Sequence, residues 1–392
     1  AHFWRFVEGS APIFNASALR RLRAHAAYPP SVAVEWLRLP RFNDTCRVEG
    51  RLHQLEVDIA AGLTRFARRV RNASLADFVL VPHCIGNAIT ALMTACNGDP
   101  AVRETLEAKR SRVGAPWFTS CWNFVKRSLE PYLRAWAGEL RRAGPRALVA
   151  LSFETARLAS PSFRAAPHAI VYQGPTDWLA RTFPGFGGGA PADFGCGVGR
   201  GGGATGTQSF FYPAAWPHDV VVHPPSPYDH LRDWRGAAGR SLLFAFVGTS
   251  TSCVRELVLS HWKDSAREDV YVSTEFHGEG AYSAVLQRSR YCLVPDGHVP
   301  WTIRFLDTLH HGCVPVLISE SWHPPLHRLV RWAGGDFPAL FVHPARTADL
   351  HRLLSAQARA WYERVQPLTL SLAAVLDPRS DLFYEAQLAE LA

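Results

Sequence analysis

The sequence predicts an α/β protein built from two Rossmann-like domains. Three observations carry that expectation. Short, continuously apolar runs of the kind found in strands buried on both faces alternate with longer stretches of helical periodicity. The alternation continues through both halves of the chain, so strands and helices are not segregated as in an α+β fold. A Pro-rich stretch, His223-Pro224-Pro225-Ser226-Pro227, lies between the halves and reads as a crossover. The expected domains are therefore residues 1–222 and 223–392.

The first fifty residues read as irregular, interrupted by Pro12, Pro29-Pro30 and Pro40. Arg51 to Val70 reads as a helix, because Leu52, Leu55, Ile59, Leu63 and Phe66 recur at three- and four-residue steps. Phe78 to Val81 is a strand ended by Pro82. Cys121 to Arg142 is a second long helix with Trp122, Val125, Leu129, Leu133, Trp136 and Leu140 on its inward face. Ala147 to Leu151 and His168 to Tyr172 are further strands. Residues 184–206 are dominated by Gly and read as a flexible insertion. No Lys-Ser/Thr follows them and no strand leads in, which excludes a P-loop and a dinucleotide fingerprint.

The second half alternates more cleanly. Asp219 to Val222 precedes the crossover, and Leu242 to Val247 is a strand ending in Gly248-Thr249-Ser250-Thr251-Ser252. The next helix turns Val254, Leu257, Val258 and Trp262 inward. Val270 to Val272 (strand) and Ala281 to Leu286 (helix) lead to a strand–loop–helix–strand unit from Arg290 to Ser321. In that unit Tyr291 to Val294 is a strand and Pro295-Asp296-Gly297 breaks it. Pro300 pre-sets a helix entry, and Ile303, Leu306 and Leu309 give the helix an apolar face. Gly312 sits where a helix end takes a left-handed residue, and Val314 to Ile318 is the second strand. Leu340 to Val342 is a last strand and Leu350 to Val365 a long helix.

Composition bounds the function classes. With 47% hydrophobic and 19% charged residues, the chain is a folded globular protein. A net charge of +8 suits an anionic ligand, although an Arg-rich composition gives it without one. No apolar run is long enough to span a membrane. The chain starts Ala-His-Phe, without Met or signal peptide, and reads as a segment of a longer precursor. None of the eight Cys forms a CxxC pair, which argues against a zinc ribbon or a thioredoxin motif. Cys292 and Cys313 lie in strand runs and read as small core residues. Cys46, Cys84, Cys96, Cys121 and Cys196 sit where they can pair in an oxidising compartment. Three of only six Asn open sequons, at Asn15, Asn43 and Asn72, which points to a secretory lumen.

Three constellations offer chemistry. At the turn Gly248, Thr249, Ser250 and onward, a strand end feeds a helix N-terminus carrying Arg255. Backbone N–H groups, the helix dipole and a guanidinium there favour a diphosphate; the plain alternative is a Ser/Thr cap with a surface Arg. In the 290–321 unit, Asp296, Gly297 and His298 form a tight turn, Arg304 can reach phosphate, and Asp307 can accept from two ribose hydroxyls. Ser319 and Glu320 share that edge. The plain alternative for Arg304 and Asp307 is an ion pair along one helix. Third, Glu154, after the strand ending at Leu151, can act as a general base on an acceptor hydroxyl, with His83 as its rival. No Asp-x-Asp occurs, so a metal-chelated diphosphate has no obvious ligands, and the adjacent His310 and His311 point to different sides of a helix.

The run Tyr-Cys-Leu-Val-Pro-Asp-Gly-His from Tyr291, then Arg304-Phe-Leu-Asp307, then Gly312-Cys-Val-Pro-Val resembles the signature of the exostosin-type glycosyltransferases, glycosyltransferase family 47. Ala76-Asp77 with Leu80-Val81-Pro82, Asp219 through Pro225, and Phe246-Val247-Gly248 through Arg255 resemble further family pieces in the same order. The resemblance spans roughly residues 51 to 365. It implies a GT-B architecture, two Rossmann-like domains facing a central cleft. It implies a C-terminal domain that holds a nucleotide sugar, usually a UDP-sugar, and an N-terminal domain that takes a glycan or glycoprotein acceptor. The implied donor contacts include Pro295 and Trp301 beside the residues above. It also implies an inverting, metal-independent enzyme without a cofactor, anchored in the Golgi by an N-terminal helix absent from this chain, and able to assemble with itself or another glycosyltransferase. Nucleic acid is not an implied partner. His298 departs from the family's usual Arg after Pro-x-Gly, and Ser152-Phe153-Glu154 lacks the family's His. The second expectation is accordingly a non-catalytic exostosin-like scaffold or glycan-binding subunit.

Overall fold

The computed structural model describes residues 2–25, 28–34, 55–81, 130, 134, 136, 138–151, 168–172, 220–222, 234–297, 302–320, 322 and 324–392. The chain divides into two compact units, residues 29–171 and residues 1–28 with 172–392. A single cut at 222 does not describe this division, because the first 28 residues pack with the C-terminal unit.

Those residues are also not irregular. They form helices α1 (His2–Gly9) and α2 (Ala16–Ala24), joined through the 3-10 turn Ala11–Ile13. Asn15 caps α2, its Oδ1 accepting from the N–H groups of Ser17 and Ala18. Phe14 bridges Val330 in antiparallel fashion, and the N–H of Arg331 donates to the Ile13 carbonyl at 2.8 Å. Phe3, Val7, Ile13 and Phe14 are buried.

The unit 29–171 contains β1 (Ser31–Val34), α3 (Leu55–Phe66), β2 (Arg68–Arg69), β3 (Phe78–Leu80), β4 (Ala147–Leu151) and β5 (His168–Tyr172). The strands lie in the order β2-β1-β3-β4-β5, and every neighbouring pair is parallel. Ile59 and Leu63 of α3 are fully buried. The helix expected to run to Val70 stops at Phe66, because Arg68 and Arg69 pair with Ser31 and Val32 at the sheet edge. Asp77, part of a family-like piece, acts as a clamp. Its Oδ2 accepts from the Ser31 N–H at 2.7 Å and the Ser31 hydroxyl at 2.6 Å, holding the starts of β1 and β3 together. The described residues from 130 to 143 are helical, with Trp136 and Leu140 buried as expected.

Val220–Val222 is a short strand, β6. The C-terminal sheet then comprises β7 (Leu242–Val247), β8 (Val270–Ser273), β9 (Ser289–Pro295), β10 (Val314–Ile318) and β11 (Leu340–Val342). Between them run α4 (Cys253–Trp262), α5 (Glu279–Arg288) and α6 (Arg304–His310). The order is β11-β10-β9-β7-β8, all parallel. Numbered within each unit, both sheets follow 2-1-3-4-5, the doubly wound order whose switch point lies between the first and third strands. All six residues of β7 and all five of β10 are buried, as two-sided cover requires.

Helices cover both faces. Val254, Val258 and Trp262 of α4 pack on Phe244, Phe246, Tyr291 and Val316, together with α7 (Leu350–Ser355) and α8 (Arg359–Val365). Tyr282 and Leu286 of α5 pack with Val247, Cys292 and Cys313 on a smaller cluster. The single helix expected over 350–365 is two, because Ala358 is extended (ψ 132°) between them. The helices α9 (Leu368–Leu376) and α10 (Asp381–Leu391) complete the unit. α10 packs against α1, and Glu385 accepts from the Phe3 N–H at 3.1 Å. No helix among the described residues is long and apolar enough to cross a membrane.

Cys292 and Cys313 are not free core thiols but a disulfide. It joins β9 to the residue before β10 and closes a loop with a sequence separation of 21 that carries α6. Cys253 is disulfide-bonded as well. Gly312 is left-handed as expected (φ 66°), and it packs against the carbonyl of Arg235 and the side chains of Gln366 and Trp234.

Candidate functional site

The switch point of the C-terminal sheet lies between the carboxyl ends of β7 and β9. The turn after β7 and the turn after β9 meet there. Ser252 caps α4, its Oγ accepting from the Arg255 N–H at 3.2 Å and donating to the Asp296 carbonyl at 2.6 Å. One hydroxyl thus caps a helix and joins the two loops. The Asp296 N–H donates to the Ile318 carbonyl at 3.2 Å, and Ser319 Oγ donates to Asp296 Oδ2 at 2.8 Å, which brings in the end of β10.

Two guanidinium groups converge on this point. Arg304, at the start of α6, crosses the turn and donates from Nε to the Val247 carbonyl at 2.9 Å. Its Cζ lies 5.6 Å from the centre of the Phe246 ring. Gly248 makes the crossing feasible: a Cβ there would stand 2.6 Å from Arg304 Nη2 and 2.9 Å from the Phe246 ring. Arg255 is 6% exposed and donates to Thr251 Oγ1 at 2.6 Å, while its Nε makes no hydrogen bond among the described residues. Burial lowers the Arg255 pKa to about 10, and the like charge of Arg304 adds to that shift. Two cations held close enough to disfavour each other form an arrangement that an anion between them relieves.

Acidic groups lie beside the cations. Asp296 is buried, and its Oδ1 makes no hydrogen bond among the described residues. Burial pushes its carboxyl well above the usual carboxylate range, and the charge of Glu320 adds to this. The Ser319 hydrogen bond and Arg255 pull the other way without cancelling it. Glu320, after β10, meets His343, after β11, with Oε1 to Nε2 at 3.2 Å. The Nδ1 of His343 accepts from the Ala345 N–H at 3.2 Å, which in the neutral ring leaves the proton on Nε2, the nitrogen that faces Glu320.

Asp307 sits differently from the expected ribose contact. It is 1% exposed on α6, and Oδ2 accepts from the Tyr282 hydroxyl at 3.2 Å. So enclosed, it braces α6 against α5 rather than presenting a carboxylate to a ligand. The expected anion turn is likewise partly committed: the Gly248 N–H donates to the Ser273 carbonyl at 2.9 Å, while Thr249 and Ser250 are exposed. Ser250 Oγ donates to Glu256 at 3.0 Å. Gly297 and Pro295 flank Asp296. Glu154, His83, His298, Trp301, Asn43 and the stretch 184–206 lie outside the described residues. The strands leading to His83 and Glu154, β3 and β4, are parallel neighbours. Asn72 is exposed, and its Oδ1 accepts from the Ser74 hydroxyl at 2.7 Å and the Ser74 N–H at 2.9 Å.

His343 and Tyr282 were not legible as site residues. Each reaches its partner only through the strand order, and neither lies in a local motif. His310 and His311 do diverge, His310 Nε2 lying 2.8 Å from Asp377 and His311 meeting Ser283 at 2.9 Å. Among the described residues no group of three or more His, Cys, Asp or Glu is placed to hold a metal.

Residues 206–356 match the family model described as the Exostosin GT47 domain. A probable glycosyltransferase of Arabidopsis thaliana is 33% identical over 93 residues, which is 24% of this chain and 20% of that protein. An exostosin-1 homolog of Caenorhabditis elegans is 36% identical over 96 residues, 24% of each. Exostosin-1a of Danio rerio is 29% identical over 129 residues, 30% of this chain and 16% of that protein. The chain thus spans about a quarter or less of the length of these relatives. The Anabaena protein HepE, solved with UDP and glucose, covers 92% of this chain and 98% of its own, at 10% identity and a TM-score of 0.39, a likeness too loose to bear on the site. The matched segment includes β7 through β11 with the switch-point arginines, so the sheet that carries the site is the part of the chain that is similar to the Exostosin GT47 domain.

Proposed function

We propose that this chain is a glycosyltransferase that moves a sugar from a nucleoside diphosphate, UDP, to a glycan or glycoprotein acceptor. The observation that carries the reading is the convergence of Arg304 and Arg255 across Gly248 at the switch point. Diphosphate binds between the two guanidinium groups and the N-terminus of α4. Charge developing on it as it leaves is stabilised there without a metal. With Asp307 buried, Glu320, oriented by His343, is the carboxylate on this edge that suits the ribose hydroxyls.

Transfer inverts the anomeric centre in a single displacement. The acceptor oxygen attacks the anomeric carbon, the bond to the diphosphate oxygen breaks, and a base takes the acceptor's proton. Glu154 is that base, with His83 as its rival; both follow strands of the unit 29–171. The C-terminal domain takes the donor and the N-terminal domain the acceptor. The compartment is a secretory lumen, the Golgi. The Cys292–Cys313 disulfide and the sequons at Asn15 and Asn72 support an oxidising, glycosylating environment.

Calorimetric titration of UDP in the presence of a chelator tests the donor site. Arg304→Ala is expected to weaken UDP about ten- to a hundredfold, the range for a lost charge-assisted contact. Unchanged affinity would remove Arg304 from the site. The missing His around Glu154 favours a second reading, a subunit that binds donor without turning it over. Slow hydrolysis of UDP-sugars separates the two, with turnover expected here and abolished in Glu154→Gln.

A further inference from the structure

The sheet of the unit 29–171 carries, on its outer edge, positive charge that the donor site does not use. From Arg65 to Ala76 the sequence holds four arginines and no Asp or Glu. Two of them, Arg68 and Arg69, make up β2, which ends the strand order, so no strand lies beyond it among the described residues. We propose that this edge is a docking surface for an acidic polysaccharide, whose carboxylate groups pair with Arg69 and Arg71. The choice of a polysaccharide among polyanions rests on the sugar-transfer reading above; the anion-binding edge itself does not.

Backbone pairing fixes the edge in place. The N–H of Arg68 donates to the Pro30 carbonyl at 3.2 Å and that of Val70 to the Val32 carbonyl at 3.3 Å. Between them the N–H of Arg69 points away from β1, toward the free edge. Arg69 and Arg71 are exposed, and neither has a carboxylate partner among the described residues. Arg68 is exposed as well, and the carboxylate beside it, Asp77 Oδ2 at 3.6 Å, is already held by the N–H and hydroxyl of Ser31. Arg146 brings a further guanidinium to the loop that returns to β3. Its Nη1 donates to the Ser74 carbonyl at 2.9 Å and the Ala76 carbonyl at 3.1 Å.

The chemistry selects the partner. A guanidinium is a planar, weakly hydrated fork that matches a carboxylate through two hydrogen bonds. Exposed charges are screened and each such contact is weak, so a partner is held only when it makes several at once. That favours a polymer charged along its length over one small anion. A nucleic acid strand uses open aromatic rings for its bases, and the rings of this stretch, Phe66 and Phe78, are half-buried. A membrane surface needs an apolar face beside the basic one, and here the exposed large apolar side chain is a lone leucine, Leu75. Edge arginines also keep foreign strands from pairing; that role needs no ligand, and a binding measurement separates it from docking.

The test is binding of the 392-residue chain to immobilised polygalacturonate, with dextran, single-stranded DNA and anionic lipid vesicles as comparisons. The chain is first freed of N-glycans, so that none stands at Asn72 beside the edge. UDP affinity and thermal unfolding are measured alongside. The parent should hold polygalacturonate and not dextran, and more weakly as salt is raised. The double variant Arg69→Gln with Arg71→Gln should bind polygalacturonate about tenfold more weakly, with the melting temperature and UDP affinity of the parent. Parental polygalacturonate affinity in that variant overturns the proposal. So does equal binding to dextran, or binding that salt does not weaken. Tighter binding to DNA or to vesicles than to polygalacturonate overturns the polysaccharide as the partner. A parent that holds polygalacturonate but not UDP removes the donor-site reading and leaves the edge standing.

Discussion

Two buried carboxylates show how one residue type is steered in opposite directions. Asp296 is pushed up, first by burial. For Asp377 burial also pushes up, but hydrogen bonds from His310 and Arg379 outweigh it and hold the carboxyl well below its usual range. The pH consequences have opposite signs. A raised folded pKa gives a contribution fully present below the unfolded value of about 3.9 and lost as pH rises through the folded value. Asp296→Asn cannot ionise, so its melting temperature should gain on the parent as pH rises above about 4. A pH-independent difference would contradict the upward shift of Asp296. Asp377 contributes stability above about pH 3.9 that is lost as pH falls through its depressed folded value. Asp377→Asn should therefore melt well below the parent at neutral pH, and acid should narrow the gap. The residues nearest the anion, Gly248, Arg255 and Arg304, were legible because strand end, small turn and helix start occur in one local order. His343 was not, because its partnership is a property of the folded sheet edge.

At the scale of elements, the loop from Cys292 to Cys313 is closed at both ends. The disulfide fixes the base of α6, and Gly312 returns the chain into β10 in a conformation that a Cβ disfavours. A Cβ at residue 312 would also stand 2.4 Å from the Arg235 carbonyl, so backbone must move. Gly312→Ala should lower stability by about 2–4 kcal/mol in denaturant unfolding. Replacing both cysteines by Ala should lower it by about 2–5 kcal/mol. A neutral double variant would mean the loop is held by packing alone. Elements buried on both faces, such as β7 and β10, were read to the residue because continuous apolarity marks them. The end of α3 was not, since Arg68 and Arg69 carry a helix-compatible pattern and leave the helix only to pair with Ser31 and Val32. Cys292 and Cys313 look like core residues in sequence because they are core residues; their pairing depends on β9 and β10 being neighbours.

For the whole molecule, the same 2-1-3-4-5 order runs through the first five strands of one sheet and all five of the other, and the N-terminal helices return to the C-terminal unit. The alternation of strands and helices made the fold class legible. The return of residues 1–28 was not, because its contacts join positions more than 300 apart: Phe3 to Glu385, Ser10 to Ser371, Phe14 to Val330. Deleting residues 1–28 should lower the melting temperature and expose apolar surface to a hydrophobic dye, since Phe3, Ile13 and Phe14 are buried there. The switch-point arginines give the C-terminal unit its chemistry, and the most direct test of that claim is the affinity of the chain for UDP with and without Arg304. The account predicts saturable UDP binding in chelator that Arg304→Ala weakens at least about tenfold with the fold intact. No binding by the parent chain, or equal binding by the variant, would contradict it.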